Sequence, residues 1–297
     1  MKKKRIIIIL SAIVLLLAAS IPLLIWGNTA LMITEFTICD DEIPESFSGL
    51  RIAQISDLHD AEFGEDNEEL VALVRDSQPD IIVITGDFVD RTRTDLELSL
   101  SFAEEMVGIA PTYFVTGNHE AALGFSVYSE FKGDLTELGV TVLENEVTSL
   151  ERNGEKIAIM GVQDPNALKD WDSMTKEEEN DPEIDFKIMR ESLSGIIDEV
   201  EGYPYTVLLS HRPEVFDVYV DHEIDLVISG HLHGGQIRLP FVGGFYTPNQ
   251  GLFPRFMDGL YSEGETNMII SRGLGNSSFP LRVNNRPELV IITLQSE

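Results

Sequence analysis

Five of the six histidines of this chain fall in short polar clusters, Asp57-Leu58-His59, Asn118-His119-Glu120, a lone His211, and His231-Leu232-His233. A further cluster, Gly86-Asp87-Phe88-Val89-Asp90-Arg91, adds two carboxylates. Residues two apart in an extended segment project to the same side, so Asp57 with His59, and His231 with His233, form pairs able to hold a cation. Gly86 permits a tight turn, Asp87 is able to bridge two cations through its two oxygens, Asn118 offers a neutral amide oxygen, and the adjacent His119 is able to serve as an acid. Taken singly, each cluster has a plainer explanation: Asp87 as a helix cap, Asn118-His119 as a turn pair, Asp-x-His as chance. Jointly these explanations fail, because a chance distribution would seldom leave only His222 outside the clusters. Cys39 is the only cysteine, which excludes a cysteine-based metal site and an intramolecular disulfide.

Each cluster follows a short apolar run that reads as a buried strand: RIAQIS from Arg51, IIVIT from Ile81, TYFVT from Thr112, TVLLS from Thr206 and DLVIS from Asp225. LMITEFTI from Leu31, MIIS from Met268 and LVIITL from Leu289 are further strands without a cluster. Helical spacing between the early strands, over Asp66 to Ser77, Thr94 to Gly108 and Phe125 to Leu138, makes the first half βαβαβα. The second half is richer in strands and includes a hairpin about Asn153-Gly154. This order predicts a sheet-on-sheet core covered by helices, in one domain, with the polar clusters at the C-terminal strand ends where α/β folds gather ligands. The stretches Asp164 to Phe186 and Phe241 to Thr266 read as loops.

The chain carries 51 acidic against 21 basic residues, a formal net charge of -30, and so lacks the basic stripe of nucleic-acid-binding proteins; no nucleic-acid partner is expected. Four of the bases, Lys2, Lys3, Lys4 and Arg5, precede an apolar run from Ile6 to Trp26 that as a helix would cover the ~30 Å hydrocarbon core of a bilayer. The run exceeds the apolar region of a cleaved signal peptide, and Ala18-Ala19-Ser20, the nearest cleavage candidate, lies inside it. The expectation is an uncleaved signal-anchor over residues 1–28 and a catalytic domain over 29–297, single-pass in the cell membrane and extracytoplasmic by the positive-inside rule.

The order DLH, GDFVDR, GNHE, a lone His and GHLHGG closely resembles the calcineurin-like metallophosphoesterase superfamily, over about Ile52 to the C-terminus. The anchored layout, GHLHGGQIRLP and SRGLGNSSFPLRVNNRPELVIITL are most similar to the membrane-anchored bacterial YkuE/YaeI-type phosphodiesterases. The resemblance implies a four-layer α/β/β/α sandwich, here preceded by one N-terminal transmembrane helix. It also implies two divalent cations, one on Asp57, His59 and His233, the other on Asn118, His211 and His231, with Asp87 bridging. Mixed nitrogen and oxygen ligation suits Mn, Fe or Zn rather than Ca. It further implies phosphodiester or pyrophosphate hydrolysis by a metal-bridging hydroxide, with His119 as leaving-group acid and Asp90 accepting a hydrogen bond from its other nitrogen. Anchoring points to a lipid or envelope-related substrate. The competing readings are a broad-specificity phosphodiesterase or phosphomonoesterase on soluble substrates and a non-catalytic envelope binding protein, and the intact ligand set argues against the latter. Arg91 and Arg272 are candidate phosphate ligands with equally good structural explanations.

Overall fold

The computed structural model describes residues 2–297 apart from 172, 180, 182, 240–242, 245, 248, 249, 253 and 277–280, and the backbone alone at 2, 3, 7, 8, 12–14, 16, 17, 19, 20, 179 and 246. Two six-stranded sheets make the frame. The first contains β1 (Met32–Asp40), β2 (Arg51–Ile55), β3 (Ile81–Thr85), β4 (Thr112–Val115), β5 (Thr141–Val142) and, from the far end of the chain, β16 (Glu288–Ser296), in the order β1-β16-β2-β3-β4-β5. The second contains β6 (Glu146–Arg152), β7 (Glu155–Gly161), β8 (Thr206–Leu209), β9 (Leu226–Ser229), β14 (Gly259–Glu263) and β15 (Thr266–Ile270), in the order β14-β15-β9-β8-β7-β6. Two small hairpins, β10 (Arg238–Leu239) with β11 (Gly243–Gly244) and β12 (Tyr246–Thr247) with β13 (Gly251–Leu252), lie between β9 and β14.

The strands that bear the polar clusters run parallel to one another within each sheet, β2, β3 and β4 in the first and β8 and β9 in the second. All the clusters therefore emerge at C-terminal strand ends. Alternation along the strands divides the apolar residues among three cores. Along β3, Ile81 and Val83 face the space between the sheets, whereas Ile82 and Ile84 face the helices α2 (Glu68–Asp76), α3 (Leu96–Val107) and α5 (Phe125–Leu138). Along β8, Val207 and Leu209 meet the first sheet, and Leu208 packs outward on α8 (Ile184–Ile196) and α9 (Phe216–Asp221). The result is the expected α/β/β/α layering. Two strands covered on both faces explain why IIVIT and TVLLS are continuously apolar rather than alternating.

The Asn153-Gly154 hairpin forms as expected, with both residues at positive φ, 52° and 89°. The two stretches read as loops are partly ordered instead. Asp164 to Phe186 holds α6 (Pro165–Leu168), α7 (Lys176–Glu179) and the start of α8, and Phe241 to Thr266 holds β11 to β14. The first was hidden by its acidic composition, its short helices burying few apolar side chains, and the second by its Gly and Pro content, with β14 an edge strand of alternating exposure.

The N-terminal apolar run lies within one helix, α1 (Lys2–Thr29). Among the described residues no helix is long and apolar enough to cross a membrane, and the side chains at several positions of the expected span fall outside the description. The foot of α1 joins the domain beside the ligand-bearing ends. β1 starts with Met32 opposite Glu288, the first residue of β16, and β16 runs antiparallel to β2, whose C-terminal end leads into Asp57.

Candidate metal centre

Of the seven sequence-derived ligands, the six that are His or Asp fall into two of three overlapping groups whose ligand atoms lie within 4.8 Å of one another. One group is Asp57, His59, Asp87 and His233; another is Asp87, His211 and His231; the third is His59, Asp90 and His119. His59 Nε2 stands 3.2 Å from His233 Nε2, and His211 Nε2 stands 3.1 Å from His231 Nδ1. All are buried. Asp87 is the shared member: its Oδ2 lies 3.6 Å from His59 Nε2 and 3.4 Å from His211 Nε2. Its Oδ1 accepts a hydrogen bond from the His119 amide at 2.8 Å. Of the two Asp87 oxygens, Oδ2 is thus the one that faces His59 and His211 together.

The donor set fits a pair of divalent cations. Asn118 Oδ1 is buried without a hydrogen-bond partner, which is costly unless the oxygen ligates something. Four imidazole nitrogens and the Asp57 and Asp87 carboxylates surround the same space, the mixed nitrogen and oxygen set of a borderline metal.

The convergence is achieved by turns, not by extended segments. Asp57, His59, Asp87, His231 and His233 all adopt positive φ, between 48° and 73°, a strained region for residues with a side chain. Backbone hydrogen bonds hold the strain in place: the amides of Asp57 and His59 donate to the carbonyls of Gly86 and Asp87. Across the sheets, the His231 amide donates to both oxygens of Asp57 at 3.1 and 3.0 Å, and Ser56 Oγ donates to Asp57 Oδ2 at 2.6 Å. Glycine is obligatory at 230, where a Cβ would stand 1.9 Å from Ser56 Oγ and 2.4 Å from Asp57 Oδ2.

Several functional residues went unrecognised in the sequence. Glu120, wholly buried, accepts hydrogen bonds from the amides of Asp87, Phe88, Val89 and Gly117 at 2.7 to 3.0 Å, and so locks the Asp87 loop to the Asn118 loop. Burial and the charge of Asp87 push this carboxyl up to about 7, against the pull of the amides. Gln54 Nε2 donates to Thr85 Oγ1 and to the Ser229 carbonyl, tying the two sheets together just beneath the ligands. Arg212 is paired with Asp164 through Nε at 2.5 Å and NH2 at 3.1 Å, and its NH1 lies 3.1 Å from His231 Nε2. Arg282, also buried, donates to the carbonyls of Gly275 and Arg272 and lies 3.3 Å from His233 Nδ1. The only available signals were a lone Gln within RIAQIS and the Glu that closes GNHE. Replacing Glu120 with Gln sets an NH2 group against two of the four amide donors, because two of them bond each carboxylate oxygen. It should weaken metal affinity by ~10- to 100-fold and lower the melting temperature, as metal titration and thermal unfolding would show.

The expected hydrogen bond between His119 and Asp90 is absent. His119 Nδ1 is 4.0 Å from Asp90 Oδ1 and instead accepts from the Arg91 amide at 3.1 Å. Asp90 spends its oxygens on Thr92 N and Oγ1 and on Arg93 NH2. A backbone amide is a fixed donor, so this arrangement holds His119 neutral with its proton on Nε2, which points toward Asp87 Oδ2 at 4.0 Å. Burial lowers the His119 imidazole in the same sense. Arg91 is exposed beside the site, whereas Arg272 is occupied by Asp258, Nε to Oδ2 at 2.8 Å.

Without metal, protons occupy the centre. Burial pushes Asp57 up to about 6. Burial opposes charge on His211, but the Asp87 carboxylate outweighs it and raises that imidazole to about 10. Burial lowers His59 to about 3 and holds His231 and His233 well below the usual range, so these three stay neutral. Cations must therefore displace one proton, from His211, between pH 6 and 10, and a second, from Asp57, below 6. Metal affinity should rise by about one log unit per pH unit above 6 and fall about twice as steeply below it, measured by competition with a chelator.

Comparison with known proteins places this geometry. Residues 50–235 match the family model described as calcineurin-like phosphoesterase. The uncharacterized metallophosphoesterase YkuE of Bacillus subtilis is 30% identical over 269 residues, 89% of this chain and 85% of that protein. The uncharacterized metallophosphoesterase YkoQ, also of Bacillus subtilis, is 30% identical over 244 residues, 81% of this chain and 82% of that protein. The phosphodiesterase YaeI of Escherichia coli is 28% identical over 250 residues, covering 82% of each chain.

Proposed function

Because the chain belongs to the calcineurin-like phosphoesterase family, we propose that its buried Asp and His centre hydrolyses a phosphodiester or pyrophosphate linkage in a lipid or envelope-related substrate. We further propose that α1 anchors the enzyme in the cell membrane with the catalytic domain outside the cytoplasm. The carrying observation is the set of overlapping ligand groups that share Asp87 at the C-terminal ends of two facing sheets. Asp57, His59 and His233 would hold one cation and Asn118, His211 and His231 the other, with Asp87 Oδ2 between them. When bound, the cations supply Lewis acidity to the phosphoryl group and activate water.

The chain's own residues do the rest. Glu120 and Gln54 fix the ligand loops, and the Arg91 amide fixes the His119 tautomer. For His119 to give up a proton from Nε2 as a true acid, Nδ1 must carry one too, and the acceptor in reach for it is Asp90 Oδ1 at 4.0 Å. A small swing of the ring from the Arg91 amide to Asp90 accomplishes this.

Support for the anchor comes from the Ile6 to Trp26 run, most of whose described large apolar side chains, among them Ile9, Leu15, Leu23 and Ile25, are exposed. The full-length chain, loaded with Mn in detergent, should release product from lipid phosphoesters or lipid-linked pyrophosphates faster than from nucleotides. Equal or better turnover of soluble nucleotides would favour the broad-specificity alternative. Protease added outside intact cells should digest the catalytic domain, and protection there would contradict the orientation.

A further inference from the structure

Outside α1, seven of the nine exposed large apolar side chains described sit in the connecting segments, short helices and small hairpins that follow ligand-bearing or neighbouring parallel strands at the same end of the molecule. Phe125, 89% exposed, opens α5 just beyond the His119 turn. Leu168 and Trp171 follow β7, and Ile237, Leu239 and Leu252 belong to the hairpins after β9. The other two lie within β1 and β14 of the six-stranded sheets, and none lies on the described connections at the opposite end. A one-sided apolar rim of this kind marks an interaction surface, since isolated surface apolar residues scatter over all faces.

This rim is tied to the metal centre. Trp171 Nε1 donates to the Asn166 carbonyl, the Asn166 amide donates to Asp164, and Asp164 holds the Arg212 that touches His231. The hairpins fold onto the His233 turn, where Arg238 NH1 donates to the Gly234 carbonyl and Gly244 approaches the same carbonyl so closely that a Cβ would stand 2.7 Å from it.

The same end receives α1. Asn28 Nδ2 donates to the Arg282 carbonyl at 3.0 Å, the Arg282 amide donates back to Asn28 Oδ1 at 2.7 Å, and the Arg282 guanidinium reaches His233. Arg286 sits 4.8 Å over the Trp26 ring at the foot of the helix. Lys169 sits 5.1 Å over Trp171, so both tryptophans of the chain pair an aromatic ring with a base, the composition favoured at the headgroup level of a bilayer.

From these placements we propose that the catalytic end is a membrane-docking face. With α1 in a bilayer, Phe125, Leu168, Trp171, Ile237, Leu239 and Leu252 rest in its interfacial layer, and the centre takes its phosphoester from the headgroups of that same leaflet. The inference rests on reading the site as a phosphoesterase and α1 as its anchor, and it gives the substrate class a physical reason: the site opens toward lipid.

The test uses the full-length chain, Mn-loaded and reconstituted in phosphatidylcholine vesicles. In a Trp26→Phe background Trp171 is the sole tryptophan, and brominated phosphatidylcholine should quench its emission strongly. In parallel, hexadecyl p-nitrophenyl phosphate diluted in vesicles is compared with soluble bis(p-nitrophenyl) phosphate. The double variant Phe125→Ser/Leu252→Ser should lose ~10-fold or more on the vesicle-borne ester and less than ~2-fold on the soluble one. Intact turnover of the soluble ester certifies the fold. An unquenched Trp171, or losses that are equal on the two esters, would overturn the docking face. Should the parent chain hydrolyse neither ester, the phosphoesterase reading fails, while the quenching of Trp171 still decides for or against docking.

Discussion

Asp87→Ala should leave a chain that holds neither metal firmly and turns over no phosphoester at a useful rate. Oδ2 of this residue is the carboxylate oxygen facing both His59 and His211, at 3.6 and 3.4 Å, and Oδ1 carries the His119 amide. Alanine removes the shared ligand, strips the buried His211 of its counter-charge, and frees the turn that carries His119. The loss of turnover should exceed the ~10² to 10³ that removal of a single stabilising donor costs in other active sites, because binding and positioning fail together. Asp87→Asn keeps the shape and separates charge from packing: it should fold normally, with metal content and turnover both depressed. Two metals retained with near-normal turnover, measured by elemental analysis and steady-state kinetics, would contradict the bridging assignment.

His119→Ala should behave differently, keeping both metals while becoming sensitive to what leaves. An acid matters most when the departing alkoxide is a poor leaving group, so alkyl phosphodiesters should slow by ~10² to 10⁴ and activated aryl esters by much less. The geometry adds a condition. In the resting site Nδ1 accepts from the Arg91 amide, and only the Asp90 carboxylate, 4.0 Å away, offers to hold a second proton on the ring. Asp90→Asn should therefore reproduce the same selectivity in milder form without metal loss. If His119→Ala loses metal, or slows both ester types equally, the residue is not the leaving-group acid. A selective His119→Ala paired with an indifferent Asp90→Asn would mean that the ring works from the Arg91-bonded state, as a hydrogen-bond donor through Nε2.

The clustering of the His and Asp residues was legible in the sequence because metal ligation demands particular atoms, and few residue types supply them; His59, His211, His231 and His233 have no inexpensive role at buried strand ends. The layering was legible for a similar reason, since runs such as IIVIT can only be covered on both faces. What supports the ligands was not. Glu120, Gln54, Arg212 and Arg282 act through contacts between segments distant in the chain, and a glutamate locking two loops is spelled like any surface glutamate. The left-handed turns at Asp57, His59 and His233 were equally hidden, because nothing but tertiary hydrogen bonding sustains that conformation in residues that carry a side chain. The extended geometry inferred from their i, i+2 spacing was therefore the wrong route to the right convergence. The family resemblance likewise paired Asp90 with His119, a contact that the backbone amide of Arg91 pre-empts.

The most direct test of the account is a titration. The full-length chain, freed of metal by chelation, is supplied with Mn while bound metal per chain and hydrolysis of bis(p-nitrophenyl) phosphate are followed together. A binuclear centre predicts no turnover in the metal-free chain, uptake saturating at two ions, and activity that climbs with the second of them. Turnover that persists with no metal bound, or two ions bound with no turnover of this ester or of lipid phosphoesters, would contradict it.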